Sequence, residues 1–213
     1  MGENDMSLHR AIQEIGRPVF TTREIAMLAG MSLSSASQAL SRMQKERLVT
    51  RAFRGVWGVT ADPRFTPFAL VAYLSGGHLA YVSFFSALHL HGLIGQIPQI
   101  IYSATTAHTR RLSTPLGTFS FHRIDPRFFS GFDWYRGGRS FLVASPEKAL
   151  VDCLYISSRR GRRFGRFTEM ELGAKFSKQR AREWVKKIPY PKIRRNVHDK
   201  LSALLESSSR SRF

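Results

Sequence analysis

The sequence predicts an α+β protein in two parts: a helical N-terminal part closed by a β-hairpin, and a longer part in which strands and helices mix. Three observations carry this. Before position 47 the apolar residues recur at helical spacing, whereas residues 48–60 are rich in β-branched and aromatic side chains around a glycine. Beyond Pro63 and Pro67, apolar helical runs alternate with strand-like pieces. Finally, 213 residues that are 43% hydrophobic and include 16 Phe are too apolar for a disordered chain and long enough for one large core or two small ones. The expected boundary lies in the proline-bracketed linker, giving domains 1–62 and 63–213.

In the first domain, Leu8, Ile12 and Ile15 share one helical face, and Gly16 followed by Pro18 ends that helix. Thr21-Thr22-Arg23-Glu24 is a capping box, so a second helix over 22–29 is expected, with Ile25 and Leu28 facing inward. Gly30-Met31-Ser32 supplies the turn, because glycine tolerates the positive φ at which a helix stops. Ser32 then caps a third helix over 33–47. Leu33, Ala36, Leu40 and Met43 are expected to point into the core. The opposite face carries Ser34, Ser35, Gln38, Ser41, Arg42 and Lys45. Small polar groups at its N-terminal end and basic groups beyond are what a helix needs to enter a DNA major groove. Residues 48–60 read as a hairpin turning at Arg54-Gly55, with Arg51 and Arg54 offering guanidinium groups to phosphates or the minor groove. Helix, glycine turn, helix and basic hairpin together read as a winged helix-turn-helix that binds duplex DNA.

The second domain is expected to be mixed α+β. Residues 68–74 begin a helix, Gly76-Gly77 breaks it, and residues 81–91 form an apolar helix capped by Gly92. Strand-like pieces follow at 97–104, 118–124 and 140–144. Ser145-Pro146-Glu147-Lys148 opens a further helix, with Ser145 as N-cap, Pro146 in the first turn and Glu147 against the dipole. Its continuation 149–155, Cys153 included, packs inward, and a basic helical region closes the chain.

Charge narrows the partner class. Thirty-three Lys and Arg against 15 Asp and Glu give a net +18, a field that attracts polyanions. The excess is uneven: residues 151–213 hold 17 basic and 6 acidic groups, net +11. Its densest run places Arg159, Arg160, Arg162, Arg163 and Arg166 within eight residues, which reads as a phosphate-binding loop. A single cysteine excludes a disulfide framework and any Cys-cluster zinc site. No apolar run approaches the ~18 residues of a membrane span, and the polar opening is no signal peptide. A cytoplasmic protein without membrane attachment is expected.

Enzymatic readings are weaker. His89 and His91 diverge by about 200° on a helix and cannot share a metal. Asp125, Asp133, Glu147 and Lys148 invite comparison with a metal-dependent nuclease, but Glu147 already has a capping role and Asp125-Pro126 reads as a turn. No Walker loop, dinucleotide fingerprint or serine-nucleophile elbow occurs. The expectation is a non-enzyme with no cofactor and no bound metal. A nuclease and a general nucleic-acid-binding protein stand as the alternatives.

Two further stretches carry a family resemblance. Following the N-terminal pattern, Tyr81-Val82-Ser83-Phe84-Phe85-Ser86-Ala87-Leu88-His89-Leu90-His91-Gly92-Leu93 and Ser145-Pro146-Glu147-Lys148-Ala149-Leu150-Val151-Asp152 occur in an order and at a separation that resembles the AbiEi-type antitoxins of type IV toxin–antitoxin systems. The likeness covers roughly residues 6–156; the arginine-rich stretch after Ser157 falls outside it. It implies a bacterial transcriptional repressor that binds inverted repeats in double-stranded DNA upstream of its own operon. It also implies a second domain that counters a nucleotidyltransferase-type toxin encoded alongside. The resemblance assigns Ser86, either His89 or His91, and Gly92 structural positions and no catalytic role.

Overall fold

The computed structural model describes residues 3–138, 140–160, 170–173 and 176–210, and it is a mixed α+β structure. Helix α1 (Glu3–Ile15) ends where Gly16 adopts φ +61°. Strand β1 (Val19–Thr21) leads directly into α2 (Thr22–Leu28), and α3 (Leu33–Lys45) follows after a short turn. Strands β2 (Val49–Phe53) and β3 (Val56–Val59) form the hairpin, with Gly55 at φ +70° in its turn. The three strands make an antiparallel sheet in the order β1-β3-β2. Leu8, Phe20, Ile25, Ala36, Leu40, Met43 and Trp57 fill the small core between these helices and one face of the sheet. Full burial of a side chain such as Leu40 contributes about 1.5–3 kcal/mol.

The remainder is built on a six-stranded sheet. A 3-10 turn (Pro67–Leu70) runs into the single-turn helix α4 (Val71–Leu74), then β4 (Ala80–Val82) and α5 (Phe84–Leu90). Strands β5 (Ile100–Thr105), β6 (Arg110–Thr114), β7 (Gly117–Arg123), β8 (Phe132–Trp134) and β9 (Leu142–Ala144) follow. The order is β6-β7-β5-β4-β9-β8, with β5/β7 and β4/β9 parallel and the other pairs antiparallel. Helix α6 (Pro146–Arg160) packs against α5, α7 (Lys178–Lys186) and α8 (Pro191–Arg210). The larger core includes Val19, Ala52 and Val56, so the small sheet lends residues to both cores. Tyr73 crosses the same junction, its hydroxyl donating to the Val19 carbonyl at 2.6 Å.

Several expectations are corrected. Residues 81–91 are not one helix. Tyr81 and Val82 belong to β4, in the middle of the sheet, and the chain turns at Ser83 and Phe84, where Phe84 adopts φ +55°. Leu28 and Leu33 are exposed, at 43% and 52%, rather than inward. Ile25 and Ala26 centre the buried face of α2, and at about 100° per residue Leu28 falls well to one side. On α3 the buried set is Ala36, Ala39, Leu40 and Met43, so Ala39 replaces Leu33. Strands β1, β6 and β8 were not anticipated; β1 and β8 have only three residues each, too few to show an alternation.

Candidate nucleic-acid interface

The interface begins with two caps. The Thr21 hydroxyl accepts from the Glu24 amide at 3.2 Å, while the Glu24 carboxylate accepts from the Thr21 amide at 2.7 Å and from Arg17 at 2.6 Å. Burial pushes the Glu24 pKa up, but the Thr21 amide, Arg17 and the Thr21 hydroxyl outweigh it and hold it below its ordinary value. After α2, Gly30 takes φ +64°, and the Met31 amide donates back to the Ala26 carbonyl at 2.9 Å, closing the turn. The Ser32 hydroxyl accepts from the Ser35 amide at 3.1 Å and starts α3.

On α3, Ser34, Gln38, Ser41, Arg42 and Lys45 are exposed on one face, opposite Ala36, Ala39, Leu40 and Met43. Ser35 belongs to the cap instead: it is half-buried and its hydroxyl lies 2.9 Å from that of Ser32. The Ser41 hydroxyl donates to the Ser37 carbonyl at 2.8 Å. Exposed Ser37 escaped the sequence reading, although it stands one turn from Ser41 on the same flank, and Leu33 is exposed where the spacing predicts a core position.

Arg51 and Arg54 are exposed on the hairpin. The Arg51 guanidinium sits 5.8 Å from the Trp57 ring centroid. Arg54 lies beside a turn that the Thr22 amide pins by donating to the Gly55 carbonyl at 3.0 Å. The turn of the hairpin is thereby locked to the start of α2, and through it to α3.

The arginine run divides. Arg159 lies against the protein surface, donating to the Arg123 carbonyl at 3.3 Å with its guanidinium 5.6 Å from the Tyr155 ring. The Arg160 side chain and residues Arg162, Arg163 and Arg166 lie outside the described residues. A second concentration of positive charge appears between α7 and α8, where Arg182, Lys186, Arg194 and Arg195 line a groove of about 520 Å³ together with Glu183 and His198. Its sequence signal was the i, i+4 spacing of Arg182 and Lys186, overshadowed by the denser run before it.

Elsewhere, the carboxylates and the lysine that the sequence singled out are engaged within the fold. Lys148 and Asp152 form a fully buried i, i+4 ion pair. The Tyr81 and Ser83 hydroxyls also donate to Asp152, at 3.0 and 2.8 Å. The Lys148 ammonium also stands 3.8 Å over the Phe128 ring. Burial pushes the Lys148 pKa down and that of Asp152 up, and each partner opposes the other's shift. Buried Glu147 accepts from the Ser177 amide at 2.9 Å and pairs with Arg180 at 3.0 Å, tying the start of α6 to that of α7. Asp125 accepts from Arg127 and from the Tyr190 hydroxyl, which hold its carboxyl well below the usual carboxylate range. Asp133 accepts from the Trp134 amide. His91 lies 2.7 Å from the Ala144 carbonyl. Among the described residues, no three His, Cys, Asp or Glu side chains come together in a way that could hold a metal ion, and no helix is long and apolar enough to cross a membrane.

Compared with known proteins, the chain matches no protein-family model and no curated sequence.

Proposed function

We propose that this chain is a two-domain, non-enzymatic transcriptional repressor whose winged helix-turn-helix binds inverted repeats in duplex DNA. In this reading it also acts as the antitoxin of a type IV toxin–antitoxin system. One observation carries the DNA-binding part: α2, the Gly30 turn and α3 present a solvated polar and basic face next to a hairpin bearing Arg51 and Arg54. The N-terminal residues of such a second helix reach base edges in the major groove. The Gln38 carboxamide offers a donor and an acceptor, the pair that matches adenine N6 and N7. Arg42, one turn on, reaches a guanine or a phosphate, and Lys45 a phosphate. Arg54 at the tip of the hairpin contacts the backbone or the adjacent minor groove. The arginine run and the basic α7–α8 groove add phosphate contacts that hold register without reading sequence.

The antitoxin part is supported by the resemblance in 81–93 and 145–152. Those residues are scaffold. Ser86 accepts from the Tyr102 amide at 2.9 Å, Gly92 turns the chain at φ +73°, Ser145 caps α6 at the Lys148 amide, and Asp152 receives Tyr81 and Ser83. They maintain the body that would meet or counteract a nucleotidyltransferase-type toxin.

Gel-shift titration of the chain's own upstream duplex against random duplex tests the reading. Gln38→Ala should weaken the upstream duplex by about 1–3 kcal/mol, the worth of one good bidentate base contact, and leave random duplex nearly unchanged. Equal losses on both would take α3 out of the groove. For the antitoxin part, co-expression should restore growth to cells carrying a neighbouring nucleotidyltransferase gene.

A further inference from the structure

We infer that Leu33 is a base-reading residue that selects thymine through its C5-methyl group; this rests on the placement of α3 in the major groove proposed above. Leu33 is the first residue of α3, immediately after the Ser32 cap, and it is 52% exposed. A leucine there contributes little to the core, which Ala36, Ala39, Leu40 and Met43 fill without it. For the next two turns its flank of the helix is low. Ser37 and Ser41 follow along it, and the Ser41 hydroxyl is turned back onto the Ser37 carbonyl. The flank therefore presents one apolar projection, at the leading end of the helix, above a row of short side chains.

That is the end of a recognition helix that touches base edges. Helical side chains lean toward the N-terminus, so Leu33 leads the helix into the groove. Most of what a base pair displays in the major groove is hydrogen-bonding donors and acceptors; the C5-methyl of thymine is the apolar feature. A leucine at this position finds a favourable partner over thymine, and over any other base it strips water from polar edges without replacing the hydrogen bonds. Gln38 lies further along α3 on the polar face and suits adenine. Together the two side chains specify a half-site with A·T pairs under the N-terminal half of α3.

The full-length chain, Leu33→Ala and Leu33→Met would each be used to select binding sites from a random duplex library. Each thymine of the wild-type site would then be replaced by deoxyuridine, which removes the methyl and keeps the pairing edge. At one thymine, deoxyuridine should weaken the wild type about fourfold, the worth of one buried carbon group, and leave Leu33→Ala unaffected. Leu33→Ala should lose its preference at that position and keep the others, while Leu33→Met should retain sensitivity to the methyl. Because Leu33 is exposed, both variants should melt with the wild type. A selected site in which every thymine tolerates deoxyuridine, or in which wild type and Leu33→Ala lose equally, overturns the assignment of Leu33 while DNA reading by α3 stands. Failure of the wild type to select any site overturns both.

Discussion

Lys148 and Asp152 meet with their side chains fully out of water, and this sets what each is worth. Desolvating two charges costs several kcal/mol, offset here by the pair itself, by the Tyr81 and Ser83 hydroxyls and by the Phe128 ring under the ammonium. Removing one partner leaves the other buried and uncompensated. Lys148→Met should therefore destabilise the fold by about 3–5 kcal/mol in urea unfolding, and adding Asp152→Leu should recover much of that loss. Strictly additive losses would mean that the two side chains do not act as a pair. Glu24 is the opposite case, a carboxylate near the surface whose folded pKa is depressed. Its contribution is complete above the ordinary glutamate pKa of about 4.3 and is lost as pH falls through the lower folded value. The stability gap between wild type and Glu24→Gln should thus be full at neutral pH and close in acid; a gap that widens in acid would reverse the assigned shift. Of these two sites the capping box was legible from four adjacent residues. The buried pair was not, although Lys148 and Asp152 share a helical face, because nothing local distinguishes a buried i, i+4 pair from a solvated one. The exposure of Leu33 escaped for a related reason: spacing finds a helical face but not how far the core extends along it.

Elements fared according to how locally they are determined. Helices α2 and α3 and the β2–β3 hairpin could be read because caps, glycines and periodicity lie within the segments themselves. Strand β1 exists through its pairing with β3, and β4 through its place between β5 and β9, so neither is a property of its own three residues. The glycines of the first part separate the two kinds of constraint. Gly30 needs only its positive φ, since a Cβ there would meet nothing within 4 Å. Gly30→Ala should then cost about 1 kcal/mol of left-handed backbone strain, and Gly30→Asn less, because Asn tolerates that region. At Gly58 on β3 the demand is for space: a Cβ would sit 2.1 Å from the Phe65 ring. Gly58→Ala should cost about 1–3 kcal/mol through overpacking, and Phe65→Leu should relieve part of it. Thermal melts of the four variants would separate these demands, and similar losses for Gly30→Asn and Gly58→Ala would refute the distinction.

Across the whole molecule the dominant quantity is the net +18 and its concentration toward the C-terminus. The charge excess was plain in the composition; its folding into a groove was not, because the groove requires α7 and α8 to lie side by side. Four cationic side chains around one acid repel each other, and their grouping favours a polyanion that relieves the repulsion. If the groove holds DNA phosphates, each contact releases condensed counterions, and log K falls with log salt by about 0.9 per contact. Changing Arg182, Lys186 and Arg195 together to Ser should flatten that slope by about two to three units, while Arg54→Ala alone should change it by about one. Preference for the upstream duplex over random duplex should survive both changes, since phosphate contacts position the protein and base contacts choose the sequence. Gln38→Ala should do the reverse, lowering preference with the slope intact. Affinity and specificity would then come apart along the chain, the first carried largely by α7 and α8 and the second by α3. An unaltered slope in the triple variant would remove the α7–α8 groove from the DNA-binding surface and leave its charge for a different anionic partner.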